Sequence, residues 1–529
     1  MSLLKRALAA LSLQPYNPVS IKAEAHPFVN PDGFVDFGPD DIENPRNWSM
    51  GRRVLITIAT VFLDMVGTFS SSAPTGCLPS IANHFGVSLE VAGLNLTLFV
   101  FGYCAGPLAF APLSEIYGRQ HIFTITFTLY LASSFLCAFA PNLASLLTGR
   151  MLAGIFVSAP LSNGPAVIAD IWSPIQMAVA MAGFGAVTFL GPALGPITAG
   201  FLDMAKGWRW SFYSLLWLAV AGFFAAFAIP ETHAPTILRH KAERIRAAQI
   251  PGYETVQAEC ETQDRSLKNV FKISLTRPWV ILFDPISFLI AIYVSVVYTL
   301  LYMLFSIYPI VFQERRGWNA GVGALPLLGT STGACLGGLL VYFDTMRQMK
   351  RAEKGKEIVA EHRLPVSIVG GIGFAVSMFW FAWTAEFDSI HWFVPTLAGV
   401  GLACSNLLLF VGFLNYLVDT YLAYAASAMA ANTILRSACA ATAPLFTTKM
   451  FHTLGVGGGG SVIGGMATLL AAIPFLFYRY GKSIRMRSKF AAASAQSPNP
   501  LPSSIEMDQV CEEALTINAS LNTQELPER

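Results

Sequence analysis

Charge is scarce in this chain. Asp, Glu, Lys and Arg make up 12% of its 529 residues, 54% are hydrophobic, and the mean hydropathy is +0.53. So few charges cannot cover a water-soluble fold of this size, which leaves an integral membrane protein. Strand-like alternation is missing, which argues against a β-barrel. No GxxxxGK[ST] occurs and no soluble stretch is large enough to hold a nucleotide, which excludes an ATP-driven pump. The eight cysteines form no CxxC and no disulfide framework, so they read as small core hydrophobes. The eight histidines are all single, which argues against a metal-dependent membrane enzyme, and no cofactor is expected. A net charge of +2 is too small to suggest a nucleic-acid partner. The N-terminus lacks the basic and apolar regions of a signal peptide, so the first span is expected to act as the insertion signal.

What the chain has instead is a series of apolar runs of about 20 residues, the length of a helix that crosses ~30 Å of hydrocarbon. The reading is all-α, with twelve spans near 54–77, 91–113, 121–140, 145–169, 178–201, 209–229, 283–312, 320–343, 365–385, 392–416, 422–447 and 460–480. Residues 230–277, 14 of them charged, divide these into two six-helix bundles. The expected organisation is a cytoplasmic tail (1–53), a first bundle (54–229), a cytoplasmic linker (230–277), a second bundle (278–480) and a cytoplasmic tail (481–529). Lys and Arg set the orientation: 27 fall on the side of the termini and 5 on the other, so both termini are expected in the cytosol. Residues 237–246 can form a short basic amphipathic helix at the inner leaflet or a solvated linker, and the glycine run 455–460 reads as a flexible outer turn.

A few polar residues need a reason to lie at membrane depth. Asp64 is ten residues into the first span, ~15 Å along the helix and close to the bilayer midplane. A carboxyl whose burial favours protonation suits proton coupling; the plainer alternative is an Asp hydrogen-bonded within its bundle. Arg150 in the fourth span and Arg436 in the eleventh cannot shed their charge, and Arg150 is expected to line a cavity. Asn95, Tyr103, Asn163, Asn406 and Asn432 are either polar wall groups or interhelical glue. In the fifth span, Gly191–Pro192 and Gly195–Pro196 lie four residues apart on one helix face, which predicts a kinked, closely packed helix.

Three stretches carry a resemblance. They are the turn APLSEIYGRQ at 111–120, Arg150 with Gly154, and the doubled Gly-Pro of the fifth span. On these the chain resembles the major facilitator superfamily, and within it the fungal twelve-span drug:proton antiporters. ProGluThrHisAlaPro at 230–235 and TyrAlaAlaSerAlaMetAlaAlaAsn at 424–432 are similar to narrower fungal markers. The resemblance implies a proton-coupled exporter of a lipophilic toxin, metabolite or drug, with the bilayer, protons and the cargo as partners, working as a monomer in the cell membrane. It further implies a cytoplasmic gate of Glu115, Gly118, Arg119 and Asp170, with Glu115 held at the start of the eleventh span and Arg119 paired to Asp170. Ala111 and Ile116 replace a glycine and an arginine of the family loop, and Ser306 stands where the subgroup has an acid, which weighs against a polyamine. The rival cargo is a small organic acid held by Arg150 and Arg436.

Overall fold

The computed structural model describes residues 28–488 and 490, apart from 32, 250–251, 263–266, 355–358 and 422–423. The C-terminal tail expected to be weakly structured lies from 491 on, outside the described residues. The first bundle comprises α1 (Met50–Phe85), α2 (Leu89–Tyr117), α3 (Arg119–Ala138), α4 (Leu143–Ile171), α5 (Pro174–Lys206) and α6 (Arg209–Ala228). After the linker helix α7 (Ala234–Ala247) come α8 (Leu267–Leu282), α9 (Pro285–Arg315), α10 (Ala320–Arg351), α11 (Ala360–Glu386), α12 (Phe393–Tyr421), α13 (Ala425–Leu470) and α14 (Ala472–Arg487). The chain is all-α, with two six-helix halves and twelve crossings.

The eleventh and twelfth crossings both belong to α13 with α14. Residues Ser427–Met486 run as one 60-residue segment, ~90 Å if straight and far too long for one passage. Gly455 breaks it with φ 73°, a left-handed conformation that glycine adopts without strain. The glycine run is therefore not a flexible turn but a reversal at one residue. Glu386 fixes it by accepting from the Gly457 N–H at 2.6 Å while pairing with Arg315 at 3.0 Å.

The linker also departs from a solvated strand. α7 buries Ala242 and Ile245 against Val35, Val256, Ala258 and Cys260, and its basic face pairs with acids on both sides. Lys241 meets Asp41 at 2.6 Å, Arg244 meets Glu43 at 2.9 Å and Arg246 meets Glu261 at 2.8 Å. Burial raises the Glu43 carboxyl above its ordinary range despite Lys241, whereas the Arg246 hydrogen bond draws Glu261 below it. The amphipathic helix is thus present, but its apolar face covers the N-terminal segment. α8 begins at Leu267, inside the stretch expected to be linker.

Within each half, glycines let backbones touch. A Cβ at Gly154 would lie 2.1 Å from the Phe99 carbonyl oxygen of α2, and one at Gly333 would lie 2.1 Å from that of Val400 in α12. Between halves, α2 faces α13 and α5 faces α10. The Cys104 thiol reaches the Ile434 carbonyl at 3.4 Å, and the rings of Phe189 and Phe410 meet edge-on at 6.4 Å.

A close seam also joins α5 to α1. α5 runs unbroken through Pro192 and Pro196. Pro196 has no N–H to give the Pro192 carbonyl, and the Ser72 hydroxyl supplies the missing donor at 2.8 Å. The bond forms because Gly195 carries no side chain: a Cβ there would lie 2.5 Å from Ser72 Oγ and 2.8 Å from the Ala73 nitrogen. Gly195→Ala is accordingly expected to lower the apparent melting temperature of the detergent-solubilised protein by several degrees, in keeping with an overpacking cost of roughly 1–3 kcal/mol. An unchanged melting curve counts against this seam.

Candidate functional site

Asp64, Arg150 and Arg436 lie sealed in the membrane core. Asp64 is 1% exposed, Arg150 2% and Arg436 5%. The structure separates them into two arrangements.

Arg150 is held by the main chain. Its guanidinium donates to three main-chain carbonyls, those of Asn95 (3.1 Å), Ser70 (2.9 Å) and Ser71 (3.0 Å), and lies 4.1 Å from the centre of the Phe99 ring. These carbonyls are where they are for a local reason: α1 leaves its α-helical course after Ser72 for a tighter turn, Ala73–Cys77, containing Pro74. The fork of the arginine ties α4 to the irregular part of α1 and to α2.

Asp64 belongs to the first half and Arg436 to the second, and no ion pair within 4 Å joins them among the described residues. The Thr188 hydroxyl on α5 donates to Asp64 Oδ2 at 2.6 Å, while Oδ1 has no hydrogen-bond partner among the described residues. Arg436 is close enough for its charge to act on Asp64. Its guanidinium lies 4.8 Å from the ring centre of Tyr298 and 4.7 Å from that of Phe410, and its Nε is unpartnered among the described residues. Tyr298 and Tyr302 touch through their hydroxyls at 3.4 Å. Beside Phe410, a crevice too narrow for a water lies between α9 and α12, lined by Tyr293, Val294, Val297, Leu409 and Phe413.

The polar wall candidates divide likewise. Asn163 donates to the Phe110 carbonyl and accepts from Ser114, which places it in the turn cluster described below. Asn406 donates to the Val297 carbonyl and so joins α12 to α9. Asn95 donates to Ala92 in its own helix. Only Tyr103 and Asn432 of the five have side chains with no hydrogen bond at all among the described residues, and both are buried.

On the face that carries the linker, Arg119 Nε lies 3.7 Å from Asp170 Oδ2. The arginine also donates to Ser114, and Thr232 donates to the same Asp170 oxygen at 3.3 Å. Glu231, one residue beyond Pro230, completes the cluster by accepting from the N–H groups of Arg119 (2.9 Å), Gln120 (3.3 Å), Thr232 (3.0 Å) and His233 (2.9 Å). It supplies the negative charge that the N-terminus of α3 favours. Gly118, with φ 93°, leaves the room, since a Cβ there would lie 2.1 Å from Glu231 Oε2. The cluster thus ties α2, α3, α4 and the chain after α6, all in one half. Glu115 is exposed on the last turn of α2, and its expected anchor at the start of the eleventh span falls at residues 422–423, outside the described residues.

Sequence reasoning missed Thr188 and Glu231. Thr188 stands four residues before Pro192 and eight before Pro196, on one stripe of the helix, and this spacing was the available signal. Glu231 was legible as part of the ProGluThrHisAlaPro marker where an apolar run ends, but not as a partner of the α3 N-terminus.

Two six-helix halves that close over polar groups at their common midplane are the build of a secondary transporter. The sequence matches the family model described as Major Facilitator Superfamily over residues 60–444. It is 40% identical to the efflux pump FUBT of Fusarium oxysporum over 87% of this chain and 78% of that one. It is also 40% identical to the multidrug transporter mdrA of Aspergillus fumigatus, over 86% of this chain and 75% of that one. The proton:xylose symporter XylE shares the fold, with a TM-score of 0.57 at 15% identity, over 82% of this chain and 96% of that one. The chain belongs to the major facilitator superfamily, and it is a multi-pass membrane transporter of the kind that exports small molecules.

Two outcomes follow from the geometry. Arg150→Lys keeps the charge but loses the fork, so it should lower thermal stability and maximal transport rate while leaving the pH profile in place. A shifted profile would put Arg150 in the coupling machinery. Glu231→Gln should leave the fold intact but change the labelling rate of single cysteines placed at the two faces. Identical labelling would dissociate Glu231 from gating.

Proposed function

We propose that this protein is a proton-driven exporter of lipophilic or amphipathic small molecules, working as a monomer in the cell surface membrane of a fungus with both termini in the cytosol. The single observation that carries the proton claim is the sealed carboxyl of Asp64. One oxygen is held by Thr188 and the other is free of protein partners among the described residues, with the opposite charge of Arg436 in the facing half. Ionised, Asp64 draws the halves together through Arg436; protonated, it loses that attraction and keeps only neutral hydrogen bonds. Proton binding thereby changes the preference between closed and opened arrangements. The halves are closed to cargo in this arrangement: drug-sized cargo takes ~300–1,000 Å³, and the crevice beside Phe410 does not admit even a water. Loading requires the halves to part.

The orientation rests on the Lys and Arg asymmetry, and the export direction on the relatives, which are named efflux pumps and multidrug transporters. On this reading the turn cluster of Arg119, Asp170 and Glu231 lies at the cytosolic mouth and governs its opening, together with the neighbouring Glu115.

In everted vesicles with an imposed pH gradient, wild-type transport should follow the gradient, and Asp64→Asn should abolish that dependence while facilitated exchange persists. A mutant that retains wild-type pH dependence removes Asp64 from the mechanism.

A further inference from the structure

Four of the buried polar atoms without partners among the described residues belong to Asn432, Arg436 and Asp64. Asn432 and Arg436 stand one turn apart on α13 and so share a face of that helix. Asn432 is fully buried, yet neither its carbonyl oxygen nor its amide nitrogen has a hydrogen-bond partner among the described residues. Arg436 Nε and, across the interface, Asp64 Oδ1 are in the same condition. An unpaired buried polar atom is costly, and more so in hydrocarbon, so a group of them is not explained by packing. Asn163 and Asn406 show the alternative, since each is satisfied by a neighbouring main-chain carbonyl.

The charges narrow what such a group can receive. Asp64 and Arg436 together are neutral. An anion docking on Arg436 meets Asp64, a cation docking on Asp64 meets Arg436, and an uncharged polar group meets no repulsion. A carboxamide with both atoms free is complementary to an edge that presents a donor and an acceptor side by side, as a lactam does. The rings of Tyr298 and Phe410, either side of the Arg436 guanidinium, offer flat apolar surface next to it.

We propose that Asn432 is the specificity-determining residue for uncharged, flat aromatic cargo bearing a lactam-type edge, which it reads through both atoms of its side chain. This deepens the export reading above and rests on it.

The test is equilibrium binding to the purified full-length protein in nanodiscs without a pH gradient, using 2-quinolone and coumarin as probes. The two share shape and apolar area, but the ring N–H of the first is an oxygen in the second. The wild type should bind 2-quinolone at least about 10-fold more tightly than coumarin, the minimum set by one lost buried hydrogen bond. Asn432→Leu should bring the two affinities together and leave that for coumarin nearly unchanged. N-methyl-2-quinolone, in which the donor is blocked, should behave like coumarin on the wild type, and this probes the same hydrogen bond should the variant not fold. No preference in the wild type, including no binding of either probe, overturns the proposal, and so does a preference that survives Asn432→Leu. Because binding is read without a gradient, failure here leaves proton coupling untouched, while unchanged pH dependence in Asp64→Asn leaves this preference standing.

Discussion

A helix inside a membrane has no water to complete its hydrogen bonds, so every departure from regularity must be answered by a side chain or a neighbour. The first half of this protein is organised around meeting that demand. α1 abandons α-geometry after Ser72, and α5 carries two prolines at the same depth. The Ser70 and Ser71 carbonyls go to Arg150, and the Pro192 carbonyl goes to Ser72. A positive charge that is costly to bury becomes acceptable where it collects three carbonyls and an aromatic face, and it holds three helices in register as it does so. Asp64, two turns before those serines on α1, inherits its position from this framework.

The two buried arginines show how the same residue serves different ends. Arg150 is satisfied by backbone and sits within one half. Arg436 is flanked by rings, keeps Nε unpaired among the described residues and feels a charge in the opposite half. The first arrangement is fixed by geometry that persists as the halves move. The second depends on how the halves meet, and so can respond to a proton or a cargo.

Much of this was legible in the sequence, for identifiable reasons. Twelve apolar runs and a charged divider are properties of hydropathy, which the bilayer reads directly, and the all-α, six-plus-six build followed from them. The depth of Asp64 and the shared face of the Gly-Pro pairs followed from helical rise and period. Partners were not legible, because a helix wheel does not say which neighbour a face meets: nothing in the sequence tied Arg150 to the Ser70, Ser71 and Asn95 carbonyls. The glycine run misled for a related reason. Flexibility was inferred from composition, but the Glu386 carboxylate, far away in sequence, turns Gly455 into a fixed reversal. Glu231 was passed over because an acid at the end of a span is ordinary until the α3 N-terminus is seen beside it.

The folding of the linker onto the N-terminal segment changes how far the halves can separate. By sequence they are joined by a long polar stretch with ample slack. α7 is pinned through Lys241 and Arg244, the chain after it is held back by Arg246 on Glu261, and Glu261 stands only six residues before the start of α8 at Leu267. Six residue steps reach at most ~20 Å. The ion pairs on α7 therefore shorten the reach of the connection between the halves.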